Sequence, residues 1–127
     1  MPQASTNQDR DAVEAVALSK ATARAAQKLG IKNKVLAGII GLSEPTISRM
    51  TRGDYQFNHA DKAFELSVLL VRLYRSLDAI VGGDDSVARA WLVNHNTALR
   101  DAPINLIRTV SGLVNVLQYL DARRARI

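Results

Sequence analysis

The sequence predicts an all-α protein, on three observations. Apolar side chains recur every three or four residues along nearly the whole chain, no stretch alternates polar and apolar as a half-buried strand does, and Gly, Asn, Ser and Asp fall between the periodic runs as helix caps and stops. Residues 1–8 are polar and unpatterned, and a frayed arm is expected there. From Asp9 an Ala-rich run reaches Gly30, with Val13, Val16, Ala17, Ala21, Ala25 and Leu29 at helical spacing. Ser19 is placed to cap a second segment, so one bent helix or two short ones fit. Gly30 closes this region, Asn33 is expected to cap the next helix, and Gly41 ends it. A further helix is expected from Glu44 to Arg52, stopped by Gly53. Asn58 then caps a long helix to about Val81. Gly82 and Gly83 break it, Asp84 or Asp85 caps a helix to about Asn94, and a loop runs from His95 to Pro103. A short helix in INLIRT and a final amphipathic helix through Val110, Leu113, Val114, Leu117 and Leu120 complete the chain.

The long helix carries two apolar stripes: Leu66, Leu69, Leu70, Leu73, Leu77 and Ile80, and beside them Phe64, Val68, Val71 and Tyr74. It must be covered on two sides. One side closes the preceding core, the other meets the C-terminal half or a second copy of the chain, and both are expected through a homodimer.

The segment NKVLAGIIGLSEPTISRMTR, residues 33–52, has the spacing of a helix-turn-helix. Leu36, Ile40, Leu42, Ile47 and Met50 are its core positions, Ala37 permits close helix approach, and Gly41 supplies the positive φ of the turn. Ser43 is a hydroxyl cap followed by an acidic first turn and an early proline at Glu44 and Pro45. The outward residues of the second helix are short hydroxyls and long cations, types that reach base edges and phosphates. Lys34, Ser43, Glu44, Thr46, Ser48, Arg49 and Arg52 are the candidate contacts to double-stranded DNA.

Composition agrees with a polyanionic partner. The 127 residues hold 17 Lys and Arg against 12 Asp and Glu, a net charge of +5. Between Lys28 and Arg52 five cations face one anion, a local excess of +4. All lysines occur by Lys62, and every later cation is Arg, the residue suited to bidentate contacts with carboxylate or phosphate. With 47% hydrophobic residues the chain suits one compact unit or two small ones sharing an interface. With no Cys, no disulfide frame or thiolate metal site exists. No secretory signal is expected at the N-terminus, and Arg72, Arg75 and Asp78 interrupt the longest apolar stretch, so a soluble cytoplasmic protein without membrane contact is expected.

No catalytic constellation stands out. His59 and His95 lie far apart without ligand spacing, GGDD at 82–85 reads as a break with an N-cap, and no base accompanies Ser43. No cofactor and no metal are expected. Aromatics at 5% disfavour base-stacking on single strands.

Beyond GLSEPTISRMTRGD, the chain contains LVRLYRSLDAIVGGDDSVARAWL at 70–92, NTALRDAPINLI at 96–107 and GLVNVLQYLDA at 112–122. In these segments it resembles the Xre/MbcA/ParS antitoxins over nearly its whole length. The resemblance implies an Xre-like helix-turn-helix bundle joined by a long helix to a small helical toxin-binding domain. It also implies a RES-domain toxin that consumes NAD as partner, an active-site cleft covered by the antitoxin's C-terminal region, and repression of the complex's own operon. Carried onto this chain, the toxin-binding pattern falls on Trp91, Leu92, Asn96, Leu99, Pro103, Leu106, Ile107, Gly112, Val116 and Leu120, with Arg123, Arg124 and Arg126 nearby. Trp91 and Leu106 are apolar in helical settings and are expected to pack the small domain and support the partner surface; the Arg tail is the better contact. The expected division is an arm at 1–8, a helix-turn-helix domain at 9–62, a connecting and dimerisation helix at 63–81 and a toxin-binding domain at 82–127. A stand-alone repressor with a dimerising or ligand-sensing C-terminal domain is the alternative.

Overall fold

The computed structural model describes residues 2–126, with side chains from residue 7 onward. Its helices are α1 (Pro2–Leu29), α2 (Asn33–Ile40), α3 (Glu44–Thr51), α4 (Lys62–Ile80), α5 (Asp85–Val93), α6 (Pro103–Leu106) and α7 (Val110–Arg124). Among the described residues the only extended pairing is an isolated antiparallel bridge between Asn96 and Asp101. Among the described residues no helix is long and apolar enough to cross a membrane.

α1 is a single helix of 28 residues, about 42 Å at 1.5 Å per residue. Residues 2–8, expected as an arm, are its first turns, and Met1 lies outside the described residues. Ser19 caps nothing. Its hydroxyl donates to the Ala15 carbonyl at 3.0 Å, and Thr22 donates to Leu18 at 2.7 Å. Hydroxyls bonded back to their own helix enter a core at little cost. The buried face therefore runs through Ala15, Ser19, Thr22, Ala26 and Leu29, while Val13 and Val16, expected on the core side, are 68% and 40% exposed.

Two other expected caps are displaced. The N-cap position of α2 is Lys32, which makes no side-chain cap bond, so Asn33 is the first helical residue and caps nothing. α4 starts at Lys62 after Asp61, because the Asn58 side chain is engaged locally, accepting from the Ala60 amide at 3.0 Å. Local cues elsewhere act as read. Gly41 sits at φ +75°, and the Asp84 carboxylate accepts from the Ser86 and Val87 amides at 3.1 and 3.3 Å to start α5.

α4 is the axis of the molecule. Its largest interface is with α7 and its next with α1, so the chain itself packs against two sides of it and leaves Phe64 and Val68 partly open. Leu70, Leu73 and Leu77 are sealed there. Ser76, also buried, donates to Asp121 Oδ1 of α7 at 2.6 Å, and Arg72 reaches Asp121 Oδ2 at 3.5 Å. The second stripe is mixed: Val71 is buried, while Phe64, Val68 and Tyr74 are half-buried.

The two halves are clamped at the end of α1. Arg89 on α5 donates from Nε to the Lys28 carbonyl at 2.9 Å and from Nη2 to the Gln27 carbonyl at 3.4 Å, satisfying acceptors that a helix C-terminus leaves unpaired. Beside it Lys28 pairs with Asp85 at 3.1 Å. Further along, α7 meets α6 so closely that a Cβ on Gly112 would collide with the Leu106 carbonyl. This glycine is required by the helix approach.

Candidate nucleic-acid interface and partner surface

α3 is held from beneath and open above. Ile47 and Met50 are 0% and 3% exposed and anchor it on α1 and α2. Burying an isoleucine this fully contributes about 1.5–3 kcal/mol. Ser43 Oγ accepts from the Thr46 amide at 3.2 Å and shares a hydrogen bond with Thr46 Oγ1 at 2.7 Å. The start of the helix is thereby set, and with it the outward rotation of the following residues.

On the outer face Ser43, Glu44, Arg49 and Arg52 are exposed, Thr46 and Ser48 half-buried, and Lys34 stands exposed on α2. None of the seven candidate contacts is buried. Arg49 lies 5.8 Å from the Tyr55 ring and 3.4 Å from Thr46 Oγ1, contacts that pre-orient the guanidinium without burying it. Tyr55's own pKa is raised, by burial first and then by Asp61, with Arg49 opposing.

The charge census changes in three dimensions. Lys28, counted in sequence with the reading segment, is committed to Asp85, and Arg52 has Asp54 at 3.5 Å on the surface. In their place α1 contributes Lys20 and Arg24, which with Gln27, Asn33, Thr51 and Arg52 line a cleft of about 890 Å³. Sequence reasoning passed over these α1 residues because their alignment with the end of α3 depends on helix packing. His59 is likewise brought to Glu14 at 3.0 Å and Asp11 at 4.0 Å, an exposed imidazole–carboxylate contact that ties the loop before α4 to α1.

The C-terminal pattern divides. Pro103, Ile107, Val116 and Leu120 are buried, as is Leu92, so these expected contacts are core residues that offer no area to a docking partner. Their helices pack face to face, and the pattern that recurs at core spacing is the pattern of the core. Trp91, Asn96, Leu99, Leu106 and Gly112 are half-buried. Asn96 holds its own loop: its Oδ1 accepts from the Leu99 amide at 3.0 Å, and its backbone N–H donates to the Asp101 carbonyl at 3.1 Å. That loop places Arg100 at φ +68°, in the left-handed region that non-glycine residues rarely occupy.

What remains outward is an aromatic and cationic shelf. Trp91 of α5 stacks on Tyr119 of α7 with ring centroids 6.3 Å apart and planes 16° from parallel. Arg123 lies 5.7 Å over the Tyr119 ring and donates from Nη1 to its hydroxyl at 2.9 Å. Arg124 and Arg126 are exposed beyond it. Trp, Tyr and Arg are the residue types that dominate protein interfaces. Tyr119 was missed in the sequence, although its four-residue spacing from Arg123 on one helix was available as a signal.

Family comparisons fall on these two regions. The antitoxin Xre-like helix-turn-helix domain matches residues 8–72, just over half of the chain. The antitoxin Xre/MbcA/ParS C-terminal toxin-binding domain matches residues 76–126. Among curated proteins none matches the chain. An exposed α3 on a sealed base, followed by a helical module of the toxin-binding type, makes this chain a member of the Xre/MbcA/ParS family of antitoxins.

Proposed function

We propose that this antitoxin neutralises a RES-type, NAD-consuming toxin by covering its active site with the C-terminal module, and represses its own operon through α3. The observation that carries the reading is the separation of two usable surfaces: α3 with Arg49 outward on one module, and the Trp91–Tyr119–Arg123 shelf on the other. The first has the hydroxyls and cations for a major groove. The second has a rigid aromatic platform and guanidinium groups that fit acidic or phosphate-binding subsites of a nucleotide cleft. Arg123, Arg124 and Arg126 enter or rim that cleft, and Trp91 and Tyr119 seal its edge.

A homodimer belongs to the same proposal. Ala17, Leu18 and Ala21 of α1 and Phe64, Val68 and Val71 of α4 line an open groove of about 370 Å³, and Val13 and Val16 stand exposed nearby. A second copy covers this apolar strip and brings two recognition helices to one duplex.

The test is co-expression of the chain with the product of the adjacent gene, followed by co-purification and an NAD-consumption assay with and without the chain. Retention of the partner and arrest of NAD loss are expected, with retardation of a duplex from the operon's own promoter. A chain that binds that duplex yet neither retains nor silences the neighbour is the stand-alone repressor, and the antitoxin mechanism then fails.

A further inference from the structure

A cation from the toxin-binding module stands beside the helix-turn-helix. Lys34, at the second position of α2, and Arg108, in the turn between α6 and α7, line one open cleft of about 470 Å³ with Val35 and Gly38. Gly38 borders open space, since a Cβ there would meet no atom within 4 Å. Both cations are exposed, and among the described residues neither has an acidic partner. Four other basic side chains are committed, Lys28 to Asp85, Lys62 to Glu65, Arg72 to Asp121 and Arg89 to carbonyls of α1, whereas Lys34 shares with Arg49 of the same helix-turn-helix the lack of an acidic partner among the described residues. Two cations lining one open cleft raise the positive potential there and favour an anion as its occupant.

We infer that Arg108 is a DNA-backbone contact lent by the toxin-binding module, clamping with Lys34 a phosphate of the duplex that α3 reads. The inference rests on the DNA-binding reading proposed above. Lys34 belongs to the helix-turn-helix itself, so a phosphate at its ammonium group lies along the same duplex as Arg49. Arg108 then extends the footprint across the seam between modules. It also sits between Ile107, which is core, and Thr109, whose hydroxyl caps α7 by accepting from the Gly112 amide at 3.1 Å. Leu106 at the end of α6 and Gly112 in the first turn of α7 flank it, are half-buried and belong to the expected toxin-binding pattern.

The experiment measures affinity of the full chain for a duplex from its own promoter over a range of salt, for wild type, R108A, R108K and R49A, with thermal melts as folding controls. R108A is expected to bind several-fold more weakly to this duplex and to an unrelated one alike. Its slope of log affinity against log salt should be about 1 smaller, the signature of one lost phosphate contact. R108K should keep most of both. R108A with wild-type affinity and slope, while R49A weakens binding, overturns the inference and leaves the DNA reading standing. No change in either variant removes the DNA reading, and the inference with it.

Discussion

The helix-turn-helix and the toxin-binding module respond differently to the same kind of reading. In the first, none of the residues expected to face outward is buried, because cap, turn and 3.6-residue period set the rotation of α3 locally. In the second, the positions that the family resemblance implies include Pro103, Ile107, Val116 and Leu120, which are core. A pattern inherited along a small domain marks what folds it as much as what it touches. Burial separates the two, and burial is a property of packed helices.

The sharpest test of that contrast is Ile107→Ala. Ile107 is fully buried, and its truncation should lower stability by about 3 kcal/mol, read by urea or thermal unfolding. Loss of toxin binding with stability unchanged would return Ile107 to the contact surface and erase the distinction. On the other side of the comparison, Arg49→Ala should cost about 1–3 kcal/mol of operator binding in a retardation titration, with melting temperature and toxin binding unmoved. Unaltered affinity removes Arg49 from the reading face.

A smaller effect is expected at the cap. Ser43→Ala removes the acceptor for the Thr46 amide and should cost about 1 kcal/mol of stability, with operator binding weakened in step because α3 frays at its reading end. The smallest is an acid effect confined to the C-terminal module. Asp84 is held below the ordinary aspartate range first by the Ser86 hydroxyl and then by the Val87 amide. Asp101 is held low by the Asn105 amide and the Ala102 N–H. A carboxylate whose pKa is lowered in the folded state stabilises fully above the ordinary range and loses that contribution as pH falls through the lowered value. Asp84→Asn keeps a good cap and should flatten the acid limb of a melting-temperature profile while leaving neutral pH almost unchanged. An unaltered acid limb would dissociate Asp84 from it.

The basic tail is better tested by substitution than by truncation. Removing the chain from Asp121 onward deletes the carboxylate that takes the Ser76 hydroxyl and Arg72, and so loosens α7 from α4. Substituting Arg123, Arg124 and Arg126 by Ala keeps that anchor and isolates the charge. Weakened neutralisation with full operator binding is expected, and full neutralisation would reject the tail as a contact.

Much of the architecture was legible in the residues: the all-α class, the start of α3 at Ser43, the turn at Gly41 and the break at Gly82 and Gly83. Each depends on a backbone conformation or a hydrogen bond within a few residues, which a linear pattern encodes. Tertiary packing decided which face of α1 is inside, because the hydroxyls of Ser19 and Thr22 found their acceptors in their own helix. It decided that Lys28 belongs to Asp85, that Trp91 meets Tyr119 and that Arg108 stands by Lys34. Those partners lie between 28 and 74 positions apart, and only the mutual burial of helices around α4 brings them together.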